Sequence, residues 1–431
     1  MVKLFKRLYA FYRRHQDEVG FALLAIYSAF VFMFDADESN IILVYAAYAL
    51  VCAGYLFFSK RVSIYREVAF PIAYLLFGAA SILWAENSGA AFTKVRTILL
   101  LLVFLVLVTT YIVKIGKPIY VMAAISIGSV ALAVYMIATY GFSGIFEAFE
   151  ETEERVGDLI NNVNAIANSL VLGLLAMVGM AFLYRKIWLV IPIAFVSICL
   201  FAAGSRTATI SLIVGLFVLV IFWIRSLKTS MGRLIGTVTV IAAAVVIFVS
   251  VRDLPAIKTL TMRIENIFAF FSGETEVIKE NSTQARMDYI RLGWEQFLKT
   301  PIFGNGIGCA GYAMEESYSH VTYLHNNYIE ILASGGIVGF VLYYAPYAIA
   351  LVSLLKRVFK DRDRAPVVVI TLVLLITRLI GHLGIVLYYS KIEYIFIALL
   401  ICVVNTPMKK EEPCVLPESA YGQKESLTGR V

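Results

Sequence analysis

The residues of this sequence best suited to chemistry lie in two stretches of its second half. Residues 286–308 read RMDYIRLGWEQFLKTPIFGNGIG, and residues 325–339 read HNNYIEILASGGIVG. His325 has an ordinary pKa of about 6.5, which suits proton abstraction at neutral pH. Glu330 follows five residues later and is predicted to orient His325 or to bind a hydroxyl group. The alternative is that His325 is an interfacial residue that caps a helix.

Three arginines are candidates for binding an anion. Arg206 lies in the segment GSRTATI, and Arg286 and Arg291 lie in the first of the two stretches. Arginine stays protonated and binds phosphate oxygens through two parallel hydrogen bonds. Together with a neutral histidine, such residues would carry out glycosyl transfer from a lipid diphosphate without a metal. The alternative is that these side chains bind lipid headgroups at the membrane surface.

The elements that position these residues are predicted to be membrane-spanning helices. The chain has 431 residues, of which 60% are hydrophobic and 16% charged, with a mean hydropathy of +0.82. This composition excludes an ordinary soluble globular protein. Apolar runs of about 20 residues predict an all-α, polytopic membrane protein with about twelve transmembrane helices. Alternating ten-residue strands are missing from the sequence, which excludes a porin-like barrel.

Charge placement predicts the orientation of the chain. The net charge is +7, but the lysines and arginines concentrate in alternate loops, which is typical of cytoplasmic loops and not of a nucleic-acid binder. The predicted organisation has helices 1 to 9 in residues 1–251, a periplasmic helical segment in 252–325, helices 10 to 12 in 326–405, and a tail in 406–431. Both termini are predicted to be cytoplasmic and the active site periplasmic.

Within the periplasmic segment, apolar residues at spacings of three and four predict an amphipathic helix at the membrane interface. These residues are Met287, Ile290, Trp294, Phe297 and Leu298. The sequence Lys299-Thr300-Pro301 predicts the end of this helix. The pair Gly335-Gly336 is predicted to bend the tenth span just below His325, which would create a polar cavity at the outer leaflet.

Two further sets of residues favour other functions. Arg378 and His382 lie one helical turn apart in the eleventh span, where they are predicted either to line the substrate cavity or to form the proton relay of a flippase or proton-coupled transporter. Asp35 and Asp37 form an Asp-x-Asp pattern that would suit Mg²⁺ or Mn²⁺. The polar groups gather at the outer end and not at the midplane, which favours the enzyme.

The segments GSRTATI, RMDYIRLGWEQFLKTPIFGNGIG and HNNYIEILASGGIVG resemble the bacterial O-antigen ligase and O-antigen polymerase superfamily over residues 164–339. The resemblance implies an inverting, metal-independent glycosyltransferase, related to C-type folds and without a cofactor, that uses undecaprenyl diphosphate-linked glycans at the bacterial inner membrane. It implies that His325 is the catalytic base and that Arg206 and Arg286 contact the diphosphate. Asn164 matches the family's asparagine before span six, although a place in the first turn of a helix capped by Asn161 or Asn162 explains it equally well.

Only one outer segment is long, which favours a ligase that transfers the glycan to a sugar hydroxyl of the lipid A core. The alternative is a polymerase that transfers it to another lipid-linked glycan. The expected partners are these glycans and membrane lipids, with no nucleic acid. Besides the three catalytic residues, the predicted substrate-binding residues are Arg291, Glu330, Asn326, Asn164, Arg378 and His382.

Overall fold

The structure is a computed structural model that describes most of the membrane-embedded chain. It covers residues 15–35, 40–150, 160, 162–226, 229–232, 234–236, 238, 281–314, 322–360 and 365–407. The described residues form α-helices and short 3₁₀ and π turns, with no β-strand among them. The predicted all-α class is therefore confirmed for the described part of the chain.

The helices follow the apolar runs of the sequence closely. Their bounds are α1 Gln16–Phe34, α2 Ile41–Ser59, α3 Ala69–Ser81, α4 Ser88–Ile115, α5 Ile119–Glu150, α6 Val163–Leu183, α7 Val190–Ala203, α8 Arg206–Ser226, α9 Asn281–Lys299, α10 Asn327–Leu355, α11 Pro366–Gly381 and α12 Lys391–Asn405. Of these, α9 is the predicted amphipathic helix, and it ends at Lys299 just before Pro301 as the sequence indicates.

Seven of the described helices are long and apolar enough to cross a membrane, namely α1, α2, α4, α5, α6, α8 and α10. Two shorter apolar helices span Ile187–Ala203 and Pro366–Gly381. The predicted ninth span, 234–251, lies almost entirely outside the described residues, as do residues 252–280 of the predicted periplasmic segment. The count of twelve spans therefore stays a prediction.

The eleventh helix is shorter than its apolar run. The sequence predicts a span over residues 366–389, and this boundary is wrong, because α11 ends at Gly381. Beyond it the chain turns through Leu383 and Gly384. Farther on, the backbone N–H groups of Leu387 and Tyr388 donate to Oδ1 of Asn327 at 2.8 and 3.1 Å. The side chain of Asn327, from α10, thus takes the place of the backbone carbonyl groups that would accept these hydrogen bonds in a helix. The apolar chain can therefore leave the helix after Gly381.

Helix α6 lies at the centre of the bundle, and small residues let its neighbours approach closely. A Cβ atom at Gly173 would lie 2.0 Å from the hydroxyl oxygen of Ser129 on α5. A Cβ atom at Gly179 would lie 2.7 Å from Ile370 on α11. Close backbone approach at small residues is the usual basis of helix packing in membranes, where dispersion replaces the hydrophobic effect.

Polar contacts divide the helix ends into the two groups that the predicted topology requires. At the predicted cytoplasmic end, Lys117 pairs with Asp17 at 2.8 Å. At the opposite end, Lys391 pairs with Asp35, and the amide of Asn162 donates to the hydroxyl of Tyr323 at 2.6 Å. The contacts agree with the alternating topology, while its orientation in the membrane stays a prediction.

Helix α10 is broken at Gly336, where the sequence predicts a bend. Gly336 has φ 59° and ψ −163°, which is outside the helical region. The backbone groups that the break frees are taken up by the loop after α9. Asn305 and Gly306 donate to the carbonyls of Ala333 and Ser334, while Ile337 donates to the carbonyl of Pro301 at 2.9 Å. The break is tolerated because the protein itself satisfies these groups in a region without bulk water.

The first prediction concerns Gly336→Ala. A Cβ atom there would lie 2.3 Å from the carbonyl oxygen of Ile302, and its positive φ is unfavourable for alanine. We expect a loss of about 1 to 3 kcal/mol in the free energy of unfolding, measured by thermal unfolding in detergent. Gly144→Ala is the control, because its Cβ would make an ordinary contact of 3.5 Å with Tyr140. Equal melting temperatures for the two variants would contradict the role assigned to the break.

Candidate active site

His325 occupies a loop that is fixed on both sides. Before it, the backbone N–H of Leu324 donates to Oε2 of Glu330 at 2.9 Å. After it, Oδ1 of Asn326 caps α10 by accepting from the N–H groups of Tyr328 and Ile329 at 3.0 and 3.1 Å. His325 itself has φ 53°, a left-handed conformation that is uncommon outside glycine. The surrounding bonds therefore hold His325 in a costly conformation of the kind found at functional sites.

The imidazole of His325 lies between two tyrosine rings. Its centroid is 4.2 Å from that of Tyr323 and 5.8 Å from that of Tyr289, which is nearly parallel to it at 11°. The Nδ1 atom is buried and has no hydrogen-bond partner among the described residues. An unsatisfied buried nitrogen costs about 1 to 3 kcal/mol, and such groups cluster where a ligand or a reaction supplies the partner.

Burial and charge keep this imidazole neutral. Burial, together with the positive charge of Arg286, lowers the pKa of His325 to about 4. At neutral pH one ring nitrogen therefore carries a lone pair that can accept a proton, which is what a general base requires. The pKa of the Tyr323 hydroxyl is raised by burial, so this neighbour stays protonated.

The structure places the other predicted residues on the elements around this loop. Arg286 lies on α9, close enough for its charge to act on His325. Arg291 is exposed farther along the same helix. Arg206 begins α8, directly after Ser205. The neighbouring Thr207 approaches the chain beyond α11 so closely that a Cβ atom at Gly384 would lie 2.3 Å from the threonine hydroxyl.

The asparagines before α6 have separate tasks. The side chain of Asn162 caps the helix by accepting from the N–H of Asn164 at 3.0 Å. Asn164 is buried in the first turn, where its Oδ1 accepts from the hydroxyl of Ser205 at 2.8 Å. The alternative of a cap at Asn162 with Asn164 in the first turn is thus what the structure shows. Through Ser205, Asn164 holds the segment that carries Arg206. A direct contact between Asn164 and substrate stays a prediction.

A cavity of about 670 Å³ opens beside this site. Tyr323, whose ring packs on His325, forms part of its wall. The aliphatic side chains that line it are Val44, Leu100, Leu101, Ile385, Val386 and Leu387. A mostly apolar cavity with a few polar groups is the usual form of a ligand site, and its volume lies in the ordinary range for one. The sequence predicted a polar cavity at this end, and the structure shows one with largely apolar walls.

The cavity brings together basic residues that the sequence analysis did not single out. Arg96 of α4 and Lys391 of α12 both line it. Lys94 lies behind the wall, with its Nζ 3.4 Å from the ring centroid of Tyr389, another lining residue. These residues could have been noticed in the sequence because they lie at the outer ends of predicted spans, whereas most lysines and arginines of membrane proteins lie on the cytoplasmic side.

Asp35, the first residue of the predicted metal pattern, also lines the cavity and pairs with Lys391. Asp37 lies outside the described residues. The ion pair gives the Asp35 carboxylate a cationic partner from the protein itself.

Asn327 connects the loop that carries His325 to the cavity wall. It is fully buried two residues after His325. Its backbone N–H donates to the carbonyl of His382 at 2.8 Å, and its Oδ1 accepts from the N–H groups of Leu387 and Tyr388. Its amide nitrogen donates to the hydroxyl of Tyr344 at 2.9 Å. The sequence pointed to the neighbouring Asn326 as a substrate-binding residue. In the structure it is Asn327 that connects the loop of His325 to the cavity wall.

Arg378 and His382 lie in a buried ionic cluster that sequence reasoning did not foresee. Nε of Arg378 donates to the carboxylate of Glu393 on α12 at 2.5 Å, and His382 lies 3.2 Å from the same carboxylate. The hydroxyl of Tyr347 also donates to Glu393. The side chains of Arg378, His382 and Glu393 are at most 2% exposed. Because they are occupied by one another, they hold α10, α11 and α12 together. Contact of Arg378 or His382 with substrate stays a prediction.

Comparison with known proteins identifies one region of the chain. Residues 191–344 match the family model described as O-antigen ligase. The match confirms the resemblance to the O-antigen ligase and polymerase superfamily. The matched region includes Arg206, Arg286 and His325, whereas Arg96 and Lys391 of the cavity lie outside it. No curated protein gives a significant match to the chain.

A second prediction tests the ionic cluster. Arg378→Met leaves the buried carboxylate of Glu393 without its main cationic partner, so we expect a loss of about 3 kcal/mol or more in the free energy of unfolding. The double variant R378M/E393Q should recover part of this loss. Lys117→Met is the control, because its ion pair with Asp17 is only partly buried, with 42% and 33% of the two side chains exposed, and contributes about 1 kcal/mol or less. Urea unfolding in detergent measures all three, and a Lys117→Met loss as large as that of Arg378→Met would refute the assignment.

A third prediction concerns pH. The lowered pKa of His325 means that the neutral base is present at pH values above about 4 and is lost as the pH falls through that value. Arg286→Gln removes one of the two causes, so the acidic limb of the pH–rate profile should move to higher pH, toward the ordinary value for histidine. Burial remains, so the limb should not move the whole way. Lys299→Gln, exposed at the end of the same helix, is the control. An unmoved limb in Arg286→Gln would show that its charge does not act on the base.

Proposed function

Proceeding from the O-antigen ligase match in residues 191–344, we propose that this protein is a glycosyltransferase that moves a glycan from undecaprenyl diphosphate to a sugar hydroxyl of the lipid A core. The reaction is metal-independent, inverts the anomeric carbon and takes place on the periplasmic face of the bacterial inner membrane. The observation that carries the proposal is a neutral, fixed imidazole packed on the wall of a large, mostly apolar cavity.

The proposed reaction begins with the donor. Its diphosphate binds Arg206 and Arg286, whose guanidinium groups stabilise the charge that develops as the diphosphate leaves. His325 takes the proton from the acceptor hydroxyl, and the resulting oxygen nucleophile attacks the anomeric carbon. The bond from that carbon to the diphosphate oxygen breaks, and undecaprenyl diphosphate departs with the electron pair. Because the attack and the departure occur on opposite sides, the configuration inverts.

Donor binding also prepares the base. Arg286 lowers the pKa of His325 in the free protein. A bound diphosphate would place negative charge beside Arg286 and offset this effect, which raises the pKa of the imidazole. His325 would therefore become a stronger base when the donor is in place.

Ligase is preferred to polymerase because the sequence has a single long outer segment, predicted over residues 252–325. A polymerase of the same superfamily would use the same base and the same donor, and would differ in its acceptor. The flippase or transporter alternative is weakened by the ionic cluster, because Arg378, His382 and Glu393 are paired with one another in a closed interior.

The fourth prediction is that His325→Asn abolishes transfer. Asparagine tolerates the left-handed backbone at this position, so the fold should be kept while the base is lost. We expect the rate to fall about 10²-fold or more. The assay mixes purified protein in nanodiscs with undecaprenyl diphosphate-linked glycan and lipid A core, and follows the glycan to the core. Full activity in His325→Asn would exclude His325 as the base.

Two controls complete this assay. His15→Asn, at the start of α1, should leave the rate unchanged, because it lies at the opposite end of the bundle. Omission of the lipid A core should stop product formation if the protein is a ligase. Growth of the lipid-linked glycan without the core would instead identify a polymerase.

A further inference from the structure

We propose that Arg96 and Lys391 form a second anion-binding site, which holds a phosphate group of the acceptor glycan lipid. The inference rests on the proposed function for its substrate class, and on the cavity for its location. Both residues line the cavity of about 670 Å³, although they come from α4 and α12, which are far apart in the sequence. Neither lies within the region matched by the family model.

The charges around the cavity favour an anionic ligand. Arg96 and Lys391 are cationic lining residues, and Asp35 is an anionic one. Behind the lining, the ammonium group of Lys94 lies over the ring of Tyr389. Arg96 and Lys391 give the lining two positive charges against the one negative charge of Asp35, which leaves it net positive.

Tyr323 connects this site to His325. The ring of Tyr323 packs on His325 at a centroid distance of 4.2 Å, and the charge of Arg286 acts on both residues. The same tyrosine lines the cavity, where Asn162 donates to its hydroxyl. His325 thus lies within reach of the charge of Arg286 and packs on a tyrosine that lines the basic cavity.

The reaction requires such an arrangement. Both substrates are membrane-anchored, and both must reach one base at the same time. A glycolipid that carries phosphate needs cations for the phosphate and apolar surface for the lipid. Arg96 supplies a guanidinium for bidentate contact, Lys391 supplies an ammonium, and the aliphatic wall from Ile385 to Leu387 supplies the surface.

Asp35 acts as an internal competitor in this site. Its carboxylate pairs with Lys391, and both side chains are about four-fifths buried, at 20% and 17% exposed. An incoming phosphate must share Lys391 with Asp35 or displace it. Removal of the carboxylate should therefore strengthen phosphate binding, whereas removal of either cation should weaken it. This opposite pair of effects cannot arise from misfolding, which only weakens binding.

The test measures binding and kinetics in nanodiscs. The probes are lipid A core with its phosphates, the same lipid after enzymatic dephosphorylation, and undecaprenyl diphosphate-linked glycan. Arg96→Gln should weaken binding of the phosphorylated core about tenfold, with Lys391→Gln in the same direction and Asp35→Asn tightening it about threefold. Dephosphorylated core should bind all variants equally. Asp17→Asn, which breaks the ion pair at the opposite end, is the control.

Steady-state rates separate the two sites. Arg96→Gln should raise KM for the acceptor and leave KM for the donor unchanged, while Arg286→Gln should do the reverse. If binding of undecaprenyl diphosphate-linked glycan follows this pattern in place of the core, Arg96 and Lys391 bind the donor, and the donor KM should change in their variants.

Two results would overturn the proposal: equal binding of phosphorylated core by Arg96→Gln, Asp35→Asn and the parent protein, or a change in donor KM alone. The failure of the proposed function would look different. In that case no glycan would be transferred by the parent protein, yet the charge-dependent binding of phosphorylated lipid would remain.

Discussion

Polar groups buried in a membrane protein must be satisfied by the protein itself, and this constraint shapes the outer end of the bundle. The break at Gly336 is stable because the loop after α9 bonds to the freed backbone groups. The early end of α11 is stable because Asn327 accepts the N–H groups of Leu387 and Tyr388. Both irregular segments lie close to the loop of His325 and the cavity. Irregular backbone is thus confined to places where it positions the site.

A chain of buried polar contacts connects the loop of His325 to the interior of the bundle. Asn327 donates to Tyr344, whose hydroxyl lies 3.2 Å from Nδ1 of His382. His382 in turn contacts Glu393, which is paired with Arg378. A buried ion pair adds little stability relative to apolar packing, but it is strongly specific for one arrangement. Here it fixes the register of three helices whose outer ends carry His325 and the cavity wall.

Electrostatics at the outer end separates two roles for cations. Burial lowers the pKa of His325, and the charge of Arg286 lowers it in the same direction, so both favour the neutral imidazole, whereas Arg96 and Lys391 line the cavity. Tyr323 contacts both parts, because its ring packs on His325 and it also lines the cavity. One aromatic residue thus connects the imidazole to the basic lining of the cavity.

The sequence by itself determined the helices, the break at Gly336 and the amphipathic α9, because these follow from local hydropathy and glycine, and it singled out His325 as the candidate base from the chemistry of imidazole. Only the tertiary structure showed that Arg96 and Lys391 line the same cavity and that Glu393 pairs with Arg378. It alone also showed that Asn327 connects the loop of His325 to the cavity wall. Their partners lie tens to hundreds of residues away. Such contacts depend on how the helices pack, which local patterns do not encode.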